Sequence, residues 1–465
     1  MAPKTVSARR RAAEVLARVD ADRAFAAAVL DTALSASPSL SSPDRALATE
    51  LVYGVLRTAP ALDAALARFT RDGLKSIEKA DALTRAALRV AAYQILCLGR
   101  VPPFAAVSEA VEHLKQKRSQ GLAGFANAVL RKLAAERPAQ LDDDARVRLA
   151  MASLPVEVTR RVAGLVGAEA AALHLRASFA ASRRVTLRVN LRRSTREALI
   201  ARLRGELAAG AAVEAVAALD TAVSVIDGGD VTQTAAYAEG LFGIQEEGAQ
   251  RVAALGAVRP AMTVLDVCAG RGGKSALMAT QLAGAGSLTA VDLYPEKLMR
   301  LREEFSRLGL DQGIALHTHA VDLTQGLGAL ERTAPPGGFD VVMVDAPCSG
   351  LGTLAHRPDL LGRLRDPAAW AALVETQRAI VARVAPLVRV GGRLVYAVCT
   401  LSREEGDDAL VAGLAGAAMR FAGVSAPAET AWAEAVGGDG PARVILRADR
   451  DGTDGFVVHR RVREA

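Results

Sequence analysis

Apolar positions in the first part of the chain recur at the three- and four-residue spacing of helices buried on one side. Over residues 46–58, Leu47, Leu51, Val52, Val55 and Leu56 share a face, and over 82–98 Leu83, Ala87, Val90, Ala91, Ile95 and Leu96 repeat the pattern. Ala13, Leu16, Ala17 and Val19 make a first, shorter amphipathic helix. Pro102 and Pro103 interrupt the series, and Ser108 is the expected N-cap of the helix that carries Val111 and Leu114. No run alternates long enough for a strand, so an all-α domain is expected over residues 1–140.

The pattern then changes. Residues 138–144 are polar, acidic and proline-containing, as in a linker. Residues 185–191 alternate as a strand does, flanked and interleaved by Arg183, Arg184, Arg188, Arg192 and Arg193. A small α+β connector is expected over 145–240, its arginines suited to an RNA backbone. Beyond it, strand-like runs at 263–267, 287–291, 341–344 and 393–398 alternate with helical runs at 275–282, 296–308 and 376–387. Such alternation predicts a mostly parallel sheet with helices on both faces, an α/β Rossmann-like domain over 241–465.

Composition refines this little. A chain of 465 residues exceeds one ordinary core, and a net charge of +7 mildly favours an anionic partner. Cys97, Cys268, Cys348 and Cys399 are scattered, with no Cys-x-x-Cys pair, so neither a zinc site nor a disulfide framework is expected. The basic start, with Arg9, Arg10 and Arg11, lacks the apolar core of a signal peptide, and no run reaches membrane-span length. A reducing cytoplasm is the expected location.

Candidate chemistry gathers where the predicted strands end. The run 341–344 ends in Asp345, followed by Pro347 and Cys348, and ligands bind at the carboxyl ends of such strands. A free cysteine is also commonly a small core residue. The first strand runs into Cys268, Ala269, Gly270, Arg271, Gly272, Gly273 and Lys274. A phosphate-binding Walker loop needs glycine where Cys268 stands, and the spacing of Gly270, Gly272 and Gly273 fails the dinucleotide pattern. A methyl-donor loop fits better. Asp292 and Asp322 close the next two strands, and each is either a helix cap or a ligand contact. A second cysteine, Cys399, follows the last apolar run.

These motifs carry a resemblance. The stretches DRALATELVYGVLR, LRVAAYQILCLGRVP and FANAVLR are similar to the NusB-like helical RNA-binding module. VTLRVNL, GLFGIQEEGAQRVAAL, VLDVCAGRGGKSA, DAPCSG, VCTLSREEG and DGTDGFVVHRR follow in the order of the RsmB/Sun family of RNA (cytosine-5) methyltransferases. The resemblance implies S-adenosyl-L-methionine as cofactor, held by the loop 268–274, by Asp292 at the ribose, Asp322 on the adenine side and Asp345. It implies small-subunit ribosomal RNA as partner and a Cys–cytosine C6 adduct. Cys399 would be the nucleophile, Cys348 the residue of product release and Asp345 the holder of the cytosine edge. In DNA cytosine methylases the Pro-Cys cysteine is the nucleophile instead; the presence of both cysteines favours the RNA type. Lys274 would lie near donor or base. Arg9, Arg10, Arg11, Lys115, Lys117, Arg118, Arg131 and Lys132 are candidate phosphate contacts.

The chain departs from the family at Gly270-Arg271, where Ala-Pro is usual, and in LAHRPDLLGRL and AVCT. No catalytic group is lost by this, but the RNA target is left open. Two rival readings remain. One is a non-enzymatic RNA-binding assembly factor, against which both cysteines and the strand-end acids stand. The other is a zinc nucleobase deaminase, which lacks its second cysteine at Leu351 and its His-x-Glu.

Overall fold

The computed structural model describes residues 7–99, 101–136, 141–180, 184–363, 366–417, 419–424 and 442–465. The chain forms two compact units. One comprises Met1–Thr159, Leu175–Ala181 and Leu354–Asp366, the other Arg160–His174, Ser182–Thr353 and Pro367–Ala465.

The first unit is helical: α1 (Ala8–Asp22), α2 (Ala26–Ser35), α3 (Ser42–Ala67), α4 (Leu74–Glu78), α5 (Ala82–Cys97), α6 (Pro103–Lys117) and α7 (Gln120–Ala135). Their stripes meet in one core that includes Leu51, Val55, Leu88, Ala91, Leu114 and Leu130. Helix α3 continues past Thr58 and through Pro60 because Leu62 and Leu66, both fully buried, extend its apolar face. Each buried Leu contributes roughly 1.5–3 kcal/mol, enough together to offset the ~3 kcal/mol cost of an interior proline. Ser108 is no cap. Helix α6 starts at Pro103, a position where the fixed proline φ favours initiation and no N–H is needed, so Ser108 falls inside it. The expected linker also proves partly helical, since Asp142 accepts from Ala145 N at 2.7 Å and starts the helix Asp143–Ala152.

The unit's basic residues divide into two groups. Arg9 and Arg10 pair with Glu109, Arg11 and Lys117 with Glu14, and Arg118 with Asp81. Lys115, Arg131 and Lys132 are exposed.

In the second unit, β1 (Arg184–Val189), β2 (Ala212–Ala215), β3 (Ala222–Ile226) and β4 (Phe242–Ile244) form an antiparallel sheet in the order β2-β3-β1-β4. Leu187, Val189, Val223, Val225 and Phe242 line its buried face. Its last strand comes from beyond residue 240, the boundary expected from the sequence. The connector arginines have protein partners, not free heads. Arg184 pairs with Glu247, Arg188 donates to Gly273 O at 2.9 Å, and Arg192 to Gln312 O at 2.9 Å. Arg193 donates to Glu239 O and Arg307 O at 2.7 and 2.8 Å. Arg183 lies outside the described residues. Arg188, Arg192 and Arg193 thus hold backbone carbonyls, which a guanidinium satisfies well, while Arg192 and Arg193 remain exposed.

The larger sheet contains β5 (Thr263–Val267), β6 (Ser287–Asp292), β7 (Ala315–Ala320), β8 (Phe339–Asp345), β9 (Val388–Val398), β10 (Phe421–Gly423), β11 (Arg443–Leu446) and β12 (Phe456–Arg463). Its order is β10-β12-β9-β8-β5-β6-β7, with β11 also on β12. Strands β5 to β9 are mutually parallel, while β12 is antiparallel to β9 and to β10 and β11. The chain winds outward from β5 in one direction and from β8 in the other. The seam between them is therefore the sheet's topological switch point.

Asn190 joins the two sheets. Its buried amide donates to Gly240 O at 2.9 Å and to Leu308 O at 2.8 Å. Asn190→Ala orphans both carbonyls, at about 1–3 kcal/mol each. The expected result is a lower urea midpoint at unchanged m, checked by equilibrium unfolding.

Candidate active site

The switch point gathers most of the predicted residues. Parallel register sets Val267 beside Val344, so β5 and β8 release Cys268 and Asp345 side by side. Strand β9 places Ala397 opposite Asp345 and ends one residue before Cys399. The loop 268–274 then enters the helix Gly273–Gln281. Gly272 lies at φ 84°, and a Cβ there would stand 2.5 Å from Leu301 Cγ, so only glycine fits this turn. Cys268 is also left-handed, at φ 60°, a conformation seldom kept by a side-chain-bearing residue except where surroundings impose it. Arg271 is exposed.

The loop is braced from both sides. Asp292, at the end of β6, accepts from Gly270 N at 2.9 Å and from Tyr294 N at 3.0 Å, with Lys297 Nζ at 3.4 Å. Ala269 N donates to Val291 O at 2.9 Å. On the far side, Arg188 is 3% exposed and holds the Gly273 carbonyl. Burial lowers its pKa to about 10, still well above neutrality. Asp322 stands apart. It is exposed, and its carboxylate is taken by Thr324 N at 3.0 Å and Thr324 Oγ1 at 2.6 Å, a local turn that lowers its pKa.

The thiols sit beyond an ion pair. Lys274 Nζ lies 2.7 Å from Asp345 Oδ2. Burial pulls the Lys274 pKa down, but the Asp345 charge and hydrogen bond outweigh it and leave a net rise, so the cation persists at neutral pH. Cys348 Sγ and Cys399 Sγ are 3.2 Å apart. The neighbouring Cys399, then burial, then the Glu405 and Asp345 carboxylates hold Cys348 protonated well above the usual thiol range. Burial and the nearby Asp292 and Asp345 likewise keep Cys268 a neutral thiol. A thiol held neutral in this way is poorly suited to attack.

Gly352 locks the loop that follows Cys348. Its N–H donates to Cys399 O at 3.0 Å and its carbonyl accepts from Gly455 N at 2.8 Å. A Cβ at this position would stand 1.9 Å from Gly455 O. The two cysteine-bearing turns are therefore laced together through backbone.

Comparison with known proteins follows this geometry. Residues 253–457 match the sequence model of the 16S rRNA methyltransferase RsmB/F family, and residues 6–135 that of the NusB family. A probable ribosomal RNA small subunit methyltransferase B of Bacillus subtilis is 34% identical over 88% of this chain and 88% of its own. The chain belongs to the RsmB/Sun family of ribosomal RNA methyltransferases. A solved structure titled PH0851 superposes with a TM-score of 0.80 over 98% of this chain and 99% of that one, at 20% identity. NSun6 from Pyrococcus horikoshii, solved with SFG, gives 0.55 over 67% and 98%, at 18% identity. At such identities these two establish the fold alone.

The RsmB/Sun chain is thus an S-adenosylmethionine-dependent ribosomal RNA methyltransferase. Its residues fit that donor. Gln245 is 7% exposed, and neither its Oε1 nor its Nε2 has a partner among the described residues. The amide lies against Gly273, within 3.8 Å of where a Cβ would stand. Asp266, fully buried, accepts from Ser275 Oγ through one oxygen and leaves Oδ1 without a partner. Orphaned buried donors and acceptors of this kind are rare unless a ligand completes them. Neither residue shows itself in the spacing of the loop. Asp266 sits inside an apolar strand, a weak signal, and Gln245 reaches the loop only through the pairing of β4 with β1.

Asp266 also carries a pH signature. Burial raises its pKa to about 7; Ser275 opposes this and the charges of Asp345 and Asp292 add to it. A raised carboxyl costs nothing below the unfolded value near ~4. Stability then falls as pH climbs from there to about 7, and the loss is complete above it. Asp266→Asn removes that cost. The ligand-free variant should match the parent Tm near the low end of this window and exceed it by a few degrees above the upper end, as measured by calorimetry across pH.

Proposed function

We propose that this RsmB/Sun protein methylates C5 of a cytosine in small-subunit ribosomal RNA, through a covalent adduct between Cys399 and cytosine C6. The observation that carries the reading is the thiol pair, Cys348 and Cys399 at 3.2 Å, beside the Lys274–Asp345 pair at the switch point. We assign residues 1–140 to a NusB-like RNA-binding domain, 145–240 to the connector and 241–465 to catalysis. In the first of these, Lys115, Arg131 and Lys132 are the candidates for phosphate contact.

S-adenosylmethionine, when bound, supplies an electrophilic methyl group. The loop from Cys268 to Lys274 would seat it, with Gln245 and Asp266 at its amino-acid end, Asp292 at the ribose and Asp322 toward the adenine. Support for a donor of this class comes also from NSun6, whose bound SFG is an analogue of it.

Cytosine C5 is too weak a nucleophile to take a methyl group unaided. Addition of the Cys399 thiolate to C6 forms a C–S bond and moves the ring electrons toward C5, which then accepts the methyl. Asp345 holds the cytosine edge beside N3 by accepting from the exocyclic amine, and Lys274 keeps its carboxyl group in place. Afterwards the C5 proton leaves to a base and the C6–S bond breaks. Cys348, a neutral thiol beside the departing sulfur, is placed to return a proton to it. The base has to leave its stack to reach Cys399, as in other base-modifying enzymes.

Three measurements test this. Cys399→Ala should abolish both methylation and covalent capture of RNA, a loss of at least about 10³-fold, whereas Cys348→Ala should accumulate the protein–RNA adduct. Reversed phenotypes would make Cys348 the nucleophile. Mass spectrometry of ribosomal RNA incubated with protein and labelled donor should show new 5-methylcytosine, and its absence sinks the reading. Gln245→Ala should weaken donor binding by about tenfold or more, one lost buried hydrogen bond at ~1.4 kcal/mol, as read by calorimetric titration.

A further inference from the structure

One buried charge beneath the thiols has no part in the chemistry above. Glu405 lies in a widened helical turn, Glu404–Asp408, just after β9 and Cys399. Such turns recur at functional sites. The residue is fully buried, and its carboxylate gathers donors from three elements. Oε2 accepts from Ser349 N at 2.8 Å and from Gln377 Nε2 at 3.1 Å. Oε1 accepts from Ser349 Oγ at 2.5 Å and from Thr400 Oγ1 at 3.5 Å. Gln377 Nε2 also donates to Pro347 O at 2.8 Å, and Tyr396 Oη to the Glu405 carbonyl at 2.6 Å.

Pro347 and Ser349 flank Cys348, and Thr400 follows Cys399. The carboxylate and its amide partner thus grip the residues on both sides of one thiol and the residue after the other. Burying a carboxylate costs several kcal/mol unless its bonds are good. Neutral groups would brace two turns more cheaply. We propose that Glu405 is the positioning residue of the thiol pair: it clamps the Cys348 and Cys399 turns together and sets a negative charge on the Cys348 side, so that the two thiols take unequal tasks. The inference rests on the reading in which both thiols take part in the reaction.

The charges around the pair agree with it. Cys348 faces Cys399, Glu405 and Asp345, all of which hold it protonated, whereas the Lys274 cation interacts with Cys399. Burial raises the Glu405 pKa, and Ser349, Gln377 and Arg161 of the helix Val156–Val166 offset that rise only in part. Tyr396, a further titratable neighbour, has its pKa raised by burial and then by Cys348, Glu405, Asp407 and Cys268, and stays neutral.

Glutamine separates charge from clamp. Its oxygen can take the Ser349 and Gln377 N–H bonds while its NH₂ donates to Ser349 Oγ. In the full-length Cys399→Ser protein, the pH dependence of Cys348 alkylation by iodoacetamide is read by peptide mass spectrometry, with and without Glu405→Gln. The expected result is a midpoint about one unit lower with glutamine, or roughly tenfold more thiolate at a fixed pH below it. With Cys399 intact, Glu405→Gln should accumulate the RNA adduct relative to the parent at pH values between the two midpoints, where the variant has lost the Cys348 proton that the parent still has to return. An unmoved midpoint overturns the charge assignment. Gln377→Leu cuts the clamp from its other side without removing the charge; it should lower RNA capture severalfold, and unchanged capture overturns the clamp. If no variant captures RNA while the alkylation midpoint still shifts, the covalent-adduct reading fails and the electrostatic one stands.

Discussion

The parallel register of β5 on β8 is the constraint from which the site follows. Val264 to Val267 lie opposite Val341 to Val344, all buried, and the winding of the sheet reverses across this seam. Because both strands run the same way, both release their next residues at one edge. The connecting helices diverge there, and nothing in the sheet fills the gap between them. Cys268 and Asp345 emerge from these two strands, Asp292 and Cys399 from their outer neighbours. A one-residue slip would turn Asp345 into the core and break the Lys274 pair.

Around that seam the protein keeps several ionisable groups out of water and makes each useful. Arg188, Lys274, Asp266 and Glu405 are all buried or nearly so, and each is matched with a specific partner. Arg188 fixes backbone, Lys274 neutralises Asp345, and Glu405 ties loops. The buried polar atoms without a partner among the described residues include both ends of the Gln245 amide and one oxygen of Asp266. Their position beside the loop 268–274 suits a site completed by a polar ligand.

The small sheet changes its meaning in this light. Its described arginines are engaged by the protein itself, with Arg192 and Arg193 also exposed. They reach into the catalytic part and satisfy carbonyls at Gly273, Arg307, Gln312 and Glu239. Together with Asn190 and the strand Phe242–Ile244, they fasten the connector to the loop 268–274 and to the helix that ends at Leu308. Gln245, the residue just after that strand, is the product of this arrangement.

Much was legible in the residues alone. The helical unit, the alternating α/β series and the strand-end placement of Cys268, Asp292, Asp345, Cys348 and Cys399 all follow from periodicity and from where apolar runs stop, because burial selects those patterns locally. Helix limits were less so. Pro60 and Ser108 show why, since a proline is tolerated or a serine ignored according to what the neighbouring turns bury. The contacts across sequence were beyond reach. That Arg188 meets Gly273, that Glu405 holds Ser349 and that two thiols 51 residues apart approach to 3.2 Å depend on strand order and register. Those are set by the packing of the entire sheet, and a local pattern of residues carries no record of which strand will lie beside it.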